Sequence, residues 1–127
     1  MKRKLLETCI NHAIKFLPKH PQYENYKHYT YIIQNNKIVD FGLNRCGTPD
    51  SNYHNHCKIH SELDAIYQAY GLIDKKSSFY AINIRLTKQG LLRNSKPCTC
   101  CYNLLKTFNC KFIWYSTRIG FTKIVLQ

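Results

Sequence analysis

Hydrophobic residues recur with a helical period in some segments of the chain and with an extended period in others. Apolar positions at helical spacing predict three amphipathic helices, the first ending before Pro18, the second ending at Gly71 and the third opening after Pro97. Runs of β-branched and aromatic residues predict five strands. In chain order, the predicted elements are a helix at 5–17, a strand pair at 28–44, a helix at 60–70, a strand at 79–87, a helix at 98–108 and strands at 111–117 and 121–126.

The connections between these elements predict part of the sheet topology. Asn35 and Asn36 interrupt the pattern at 28–44, which indicates an antiparallel hairpin with its turn at the paired asparagines. Only residues 118–120 separate the last two strands, which is too short for a parallel crossover, so the last strand should run antiparallel to its neighbour. Helices then have to cover both faces of one mixed sheet. We therefore predict an α/β fold, a three-layer α-β-α sandwich with a five-stranded mixed sheet.

Length and composition narrow the class of protein. The 127 residues predict a single domain spanning 1–127, and no apolar run approaches the roughly 18 to 20 residues of a membrane span. The N-terminal segment carries Glu7 and Asn11 where a signal peptide would need an uninterrupted apolar core. Without an export signal, the seven cysteines are expected to stay reduced as thiols or metal ligands. We expect a cytoplasmic protein with no membrane partner.

The charge of the chain is strongly positive. Its 19 basic and 7 acidic residues give a net charge of +12, which makes nucleic acid a possible partner. Most of the basic residues are lysines, and the chain is also rich in Asn, Ile and Tyr, so A- and T-rich codons would produce the same charge without such a partner. An anionic small substrate fits as well, and the charge alone does not choose among these readings.

Two short motifs carry candidate chemistry, each at the start of a predicted helix. The first is His60-Ser61-Glu62, and the second is Pro97-Cys98-Thr99-Cys100-Cys101. Cys98 and Cys101 are three residues apart, so both sulfurs can face one point, and two thiolates with the imidazole of His60 supply three ligands of tetrahedral Zn²⁺. Helix N-termini favour thiolate over thiol. A zinc ion with its fourth position open lowers the pKa of bound water toward about 7.

Glu62 follows His60 by two residues and should project beside the metal. A carboxylate at that place can act as general acid and base between water and a substrate nitrogen. The combination His-x-Glu followed by Pro-Cys-x-x-Cys is the signature of zinc deaminases that act on cytosine or adenine. On these residues and on the order of its elements, the chain resembles the cytidine deaminase superfamily, whose five-stranded sheet lies between helices.

The resemblance implies a function and a role for each motif residue. It implies that His60, Cys98 and Cys101 bind Zn²⁺ and that Glu62 is the catalytic proton shuttle. It implies further that Asn44 hydrogen-bonds the sugar and that backbone groups near Ser61 and Pro97 receive the base. The reaction would be hydrolytic deamination of cytidine, deoxycytidine or dCMP to the uracil form. Members of the nucleoside branch are typically oligomeric, so the resemblance also implies a homo-oligomer.

The substrate within the superfamily stays open. The antiparallel last hairpin and the 35 residues between Glu62 and Cys98 resemble the branch that acts on free nucleosides. The first ligand, His60, resembles instead the deoxycytidylate and nucleic-acid deaminases, since nucleoside deaminases often have Cys there. The charge of +12 keeps an RNA or single-stranded DNA cytosine or adenine deaminase as an alternative.

A non-enzymatic alternative concerns Cys57. Cys57 and His60 together with Cys98 and Cys101 also spell a closed Cys₃His structural zinc site, as in a nucleic-acid-binding module. Two further expectations concern the pocket itself. His54 and His56 are expected to be solvated loop residues and not ligands, although they are close enough in sequence to line the pocket entrance, and Ser116 and Thr117 are expected to be hydrogen-bond donors on the pocket rim.

Overall fold

Three helices and a mixed sheet make up the part of the chain described by the computed structural model, residues 3–20, 27–46 and 58–126. The helices are α1 (Arg3–Phe16), α2 (Ser61–Ala69) and α3 (Thr99–Thr107), and a short 3₁₀ turn (Leu17–Lys19) follows α1. The strands are β1 (Lys27–Gln34), β2 (Lys37–Leu43), β3 (Arg45–Cys46), β4 (Lys58–Ile59), β5 (Phe79–Leu86), β6 (Leu92–Arg93), β7 (Cys110–Thr117) and β8 (Gly120–Val125). Every predicted helix and strand is present, with bounds that differ by a few residues at most.

The main sheet has the strand order β2-β1-β5-β7-β8. β5 and β7 are parallel, whereas the pairs β1–β2, β1–β5 and β7–β8 are antiparallel. The prediction of a five-stranded mixed sheet with an antiparallel last strand is confirmed. Two features lie outside that prediction: β6 adds two residues beside β5, and β3 pairs with β4 in a small separate ladder.

Helices cover both faces of the sheet, so the three-layer architecture is confirmed. Alternate strand residues divide between two apolar cores. The core beneath α1 consists of Cys9, Ala13, Tyr29, Tyr31, Ile33, Ile82, Ile84 and Leu86. The core beneath α2 and α3 consists of Ile32, Ala65, Ile66, Ala69, Ile73, Phe79, Ala81, Leu105, Cys110, Ile113 and Leu126. None of the helices in the described ranges is both long and apolar enough to span a membrane.

The β1–β2 hairpin turns at the two asparagines, as predicted. Asn35 and Asn36 both have positive φ angles, 54° and 60°, which is the backbone of a type I′ turn and which Asn tolerates better than most residues. At the other end of the hairpin, Gly42 lies against α2. A Cβ atom there would lie 2.6 Å from the carbonyl carbon of Asp64, so only glycine permits this approach. The close approach brings the end of β2 against the first turns of α2.

The two parallel strands separate at their C-terminal ends. Their register runs from Phe79–Cys110 to Asn83–Tyr115, and beyond it β5 pairs with β6 instead. The backbone N–H of Ser95 donates to the carbonyl oxygen of Ser116 on β7 at 2.9 Å, so the segment after β6 lies between the ends of β5 and β7. This segment leads directly into Pro97 and α3. The N-termini of α2 and α3 therefore both lie at the C-terminal edge of β5, on the same face of the sheet.

Candidate active site

Two helix N-termini bring the predicted metal ligands together. His60 is the N-cap residue of α2, Cys98 is the N-cap residue of α3, and Cys101 lies in the first turn of α3. The Nδ1 atom of His60 is 3.3 Å from the Sγ atom of Cys101 and 3.7 Å from the Sγ atom of Cys98. All three donor atoms lie within 4.8 Å of one another. His60 and Cys98 are exposed, whereas Cys101 is buried.

The spacing of these atoms fits a zinc ion. Zinc binds thiolate sulfur at about 2.3 Å and imidazole nitrogen at about 2.0–2.1 Å, so tetrahedral ligands are separated by about 3.5–3.8 Å. The two nitrogen–sulfur distances at His60 agree with that separation to within a few tenths of an ångström. One histidine and two cysteines are also the borderline-soft donor set that zinc prefers. The three residues therefore fit the metal that the resemblance implies.

The electrostatic surroundings of the ligands are unusual for thiols. Burial, the Glu62 carboxylate and the neighbouring Cys98 raise the pKa of the Cys101 thiol far above its ordinary value. A metal cation supplies the positive charge that such a thiol needs in order to ionise, so metal binding here releases protons. Nearby, burial and then the positive charge of Arg85 lower the pKa of His28 to about 4, so His28 is neutral at pH 7.

Glu62 lies in the first turn of α2, beside the ligands. Its side chain is buried, and its carboxylate accepts a hydrogen bond from Nδ2 of Asn83 at 2.8 Å on Oε2. The hydroxyl of Ser61 lies 3.3 Å from Oε1. The same carboxylate is, after burial, a cause of the raised pKa of the Cys101 thiol. A buried acidic group beside a ligand set is where a general acid and base would act.

The three residues expected to bind substrate surround this centre. Asn44 is half-buried at the end of β2, and its Oδ1 accepts a hydrogen bond from the backbone N–H of His28 at 2.9 Å. Ser61 is buried, with its hydroxyl 2.8 Å from that of Thr30. Pro97 is buried ahead of α3. Their roles toward sugar and base stay predictions.

An ion pair joins Arg45 on β3 to Asp64 on α2 and was not predicted from the sequence. The buried Asp64 carboxylate accepts hydrogen bonds from Arg45 Nη2 at 2.9 Å and from the backbone N–H of Leu43 at 3.0 Å. It therefore binds the backbone of the residue before Asn44 and the side chain of the residue after it. The available sequence signal is an acidic residue in the first turn of a helix, which is favourable at any helix N-terminus and so does not single out a partner.

A network of buried polar side chains behind Glu62 was also missed. Its members are Thr30, Ser61, Glu62, Asn83 and Ser95, each at most 5% exposed. Thr30 and Asn83 face each other across β1 and β5. The sequence signal is a polar residue between two large hydrophobic ones, Thr30 between two tyrosines and Asn83 between two isoleucines.

The expectation for Ser116 is wrong. Its side chain is fully buried, and its hydroxyl donates to the carbonyl oxygen of Arg93 at 2.8 Å. It therefore joins β7 to the segment after β6 and does not reach a pocket rim. Three other residues of the sequence analysis, His54, His56 and Cys57, lie outside the described residues.

Comparison with solved structures places this geometry on a known fold. The chain matches dCMP deaminase from the cyanophage S-TIM5 at 18% identity and a TM-score of 0.62, covering 91% of this chain and 84% of that one. It matches cytidine deaminase from Mycobacterium leprae at 15% identity and a TM-score of 0.64, covering 93% and 92%. It matches cytidine deaminase from Burkholderia pseudomallei at 14% identity and a TM-score of 0.64, covering 94% and 91%.

Sequence comparison adds nothing to these structural matches. No family model matches the chain, and no curated protein matches it in sequence. At such low identities the likeness shows the fold, which is cytidine deaminase-like, as the resemblance implied.

Proposed function

From this cytidine deaminase-like fold and the cluster of His60, Cys98 and Cys101, we propose that the chain is a zinc-dependent hydrolytic deaminase. Its substrate is a cytosine nucleoside or nucleotide, such as cytidine, deoxycytidine or dCMP, and its product is the uracil form with release of ammonia. The observation that carries the proposal is the meeting of three zinc-compatible ligand atoms with a buried carboxylate, Glu62, on that fold. Structures with this fold include deaminases of both a nucleoside and a nucleotide.

The residues of the site divide the chemistry among them. A bound zinc ion supplies Lewis acidity that activates a water molecule for attack on the ring. Glu62 takes one proton from that water and delivers it to the ring nitrogen, and it then takes the second proton from the hydroxyl added at C4 and delivers it to the departing amino group, acting as base and acid in turn. Asn44 would hold the sugar, and backbone groups near Ser61 and Pro97 would hold the base beside Glu62.

The closed structural site is the main competitor. It needs Cys57 as a fourth protein ligand and has no use for a carboxylate beside the ligands. Glu62 argues against it, because this carboxylate is buried in the first turn of α2, two residues after His60, and accepts a hydrogen bond from Asn83. Burial of a carboxylate is costly, so its place beside the ligands is better explained by a chemical role.

A direct assay tests the proposed function. Purified protein loaded with one equivalent of zinc is incubated with cytidine, deoxycytidine, CMP and dCMP, and products are separated by chromatography. We expect conversion of at least one substrate to its uracil form, with ammonia released in equal amount. A folded, zinc-loaded protein that is inert toward all four would contradict the proposal.

Nucleic acid is the second candidate substrate, favoured by the net charge of +12. An RNA or single-stranded DNA deaminase would bind oligonucleotides with an affinity that falls steeply as salt rises, and would leave a deaminated base in the product. If no oligonucleotide binds at low salt, this candidate is excluded.

We also propose that the domain forms a homo-oligomer, as the resemblance implies. The outward face of α2 exposes Leu63, Tyr67 and Tyr70, the middle one 75% exposed. These three residues recur at helical spacing and make an apolar stripe of the kind that interfaces use. Sedimentation velocity at micromolar concentration is expected to give a mass above the 15.0 kDa of one chain.

A further inference from the structure

The buried polar network behind Glu62 has a geometry that suggests a task for Asn83. We propose that Asn83 is a positioning residue that holds one carboxylate oxygen of Glu62, leaving the other oxygen available to exchange protons with water and substrate. This role deepens the proposed function and depends on it for its catalytic consequence. Asn83 lies on β5, the strand beside which both ligand-bearing helices begin.

Three hydrogen bonds fix the orientation of the Asn83 amide. Nδ2 donates to Oε2 of Glu62 at 2.8 Å and to the carbonyl oxygen of Ser95 at 3.2 Å. Oδ1 accepts from the hydroxyl of Thr30 at 2.8 Å. A flipped amide would place its oxygen against a carboxylate and a carbonyl oxygen, which both only accept. The amide therefore has a single favourable orientation.

The same bonds determine the direction of the neighbouring hydroxyls. Thr30 gives its single proton to Oδ1 of Asn83, so at its 2.8 Å contact with Ser61 it accepts. Ser61 thereby gives its own proton to Thr30. Because the Ser61 proton is used in this way, the longer contact of 3.3 Å between the Ser61 hydroxyl and Oε1 of Glu62 has no proton to share. Oε2 is thus firmly held, whereas Oε1 remains able to accept a proton and, once protonated, to donate it.

Burial makes this arrangement rigid. Thr30 and Asn83 are cross-strand neighbours in the middle of the sheet, and Ser95 joins both β5 and β7 through its side chain and backbone. Because no member of the network is more than 5% exposed, water does not compete readily for its hydrogen bonds. A catalytic carboxylate held in this way does not need to reorganise when substrate binds.

Three variants, Asn83→Leu, Thr30→Val and Thr30→Ser, and one matched control test the proposal. Asn83→Leu removes the amide at similar volume, and Thr30→Val removes only the hydroxyl that orients it. Gln34→Leu is the control, because Gln34 is also a buried amide on a central strand, with bonds to the carbonyl oxygens of Asp74 and Ser77 at the opposite end of β1. All proteins are loaded with zinc, and kcat, KM, zinc content and crystal structures are determined.

We expect Asn83→Leu to lower kcat by about 10- to 100-fold and to change KM by less than about threefold. The reason is that this variant disturbs the Glu62 carboxylate, which acts in the chemical step and not in substrate binding. Thr30→Val lowers kcat less, and Thr30→Ser restores it. Gln34→Leu destabilises the fold without changing kcat. In the crystal structures, the Glu62 carboxylate is rotated or disordered in Asn83→Leu but unchanged in Gln34→Leu, while zinc content stays at one per chain in every variant.

Any of three results would overturn the inference. The Glu62 carboxylate keeps its position in Asn83→Leu, kcat is unchanged in that variant, or Gln34→Leu loses as much kcat as Asn83→Leu. If Asn83→Leu does not fold, Thr30→Val and Thr30→Ser decide by the same readouts. A wild-type protein that deaminates nothing refutes the proposed function, whereas the position of Glu62 in the crystal structures still decides whether Asn83 positions it.

Discussion

At the scale of single residues, the proposed mechanism assigns the proton transfers to Glu62. Replacing Glu62 by alanine removes the proposed proton carrier but none of the predicted ligands. We expect zinc content and fold to be kept and turnover to fall by about 10³-fold or more. The measurement is kcat per bound zinc.

A matched control is Glu7→Ala, since Glu7 is exposed on α1. It should leave turnover unchanged. A Glu62→Ala protein that retains near-wild-type turnover would show that another group carries the proton.

The cysteines of α3 allow an internal comparison of ligand roles. Cys101→Ser removes a ligand sulfur, whereas Cys100→Ser changes the adjacent residue, which is exposed and does not belong to the cluster. We expect the first variant to lose its zinc on dialysis and the second to keep one zinc per chain, as measured by atomic emission. Equal zinc retention by both variants would contradict the assigned ligand set.

At the scale of elements, the packing of β2 against α2 depends on the missing side chain of Gly42. Gly42→Ala forces a Cβ atom against the backbone at Asp64 and Ala65, neither of which can move without shifting α2. We expect a loss of about 1–3 kcal/mol in the free energy of unfolding, as for overpacked sites. Gly71→Ala is the control, since nothing lies within 4 Å of its added Cβ. Urea unfolding of both variants measures the difference, and equal stability would show that α2 is free to move.

The elements differ in how far they could be predicted. Pro18 and Pro97 mark helix ends by local backbone chemistry, so the sequence predicts these ends well, whereas Gly71 lies just beyond the end of α2 without the positive φ angle of a glycine cap. β6 could not be predicted, because two residues are too few to show a hydrophobic period and because its pairing with β5 is a tertiary contact. The contact between Thr30 and Asn83 could not be predicted for a related reason. Each is one polar residue between hydrophobic neighbours, and only the pairing of β1 with β5 shows that the two side chains lie together.

The cluster of His60, Cys98 and Cys101 could be predicted more completely than the residues that surround it. His60, Cys98, Cys101 and Glu62 are recognisable because metal chemistry requires particular residue types at short spacings. Asp64 and Ser95 form hydrogen bonds with residues of other elements, and the sequence does not show which residues these are. Ser116 was misplaced because its position at a strand end does not reveal that the segment after β6 covers it.

At the scale of the whole molecule, buried histidines couple stability to pH. Burial and the charge of Lys27 lower the pKa of His20 to about 4, against hydrogen bonds to Asn44 that raise it. In the unfolded chain His20 has an ordinary histidine pKa of about 6.5. Between pH 4 and pH 6.5 the unfolded chain therefore binds a proton at His20, whereas the folded chain does not. Stability contributed by neutral His20 is present above pH 6.5 and is lost as pH falls toward 4.

The comparison of wild type with His20→Gln isolates this contribution. The difference in free energy of unfolding should change by about 1.4 kcal/mol per pH unit at most between pH 6.5 and 4, with the wild type losing more. Chemical denaturation at several pH values gives the slope. Parallel pH profiles would show that His20 does not titrate differently in the two states.

The central claim is an open zinc site, and zinc K-edge X-ray absorption on the loaded protein tests it most directly. The account predicts two sulfur neighbours at about 2.3 Å and two nitrogen or oxygen neighbours at about 2.0–2.1 Å, one of them from His60 and the other from solvent. Three sulfur neighbours would place Cys57 on the metal, close the site and contradict the enzyme assignment.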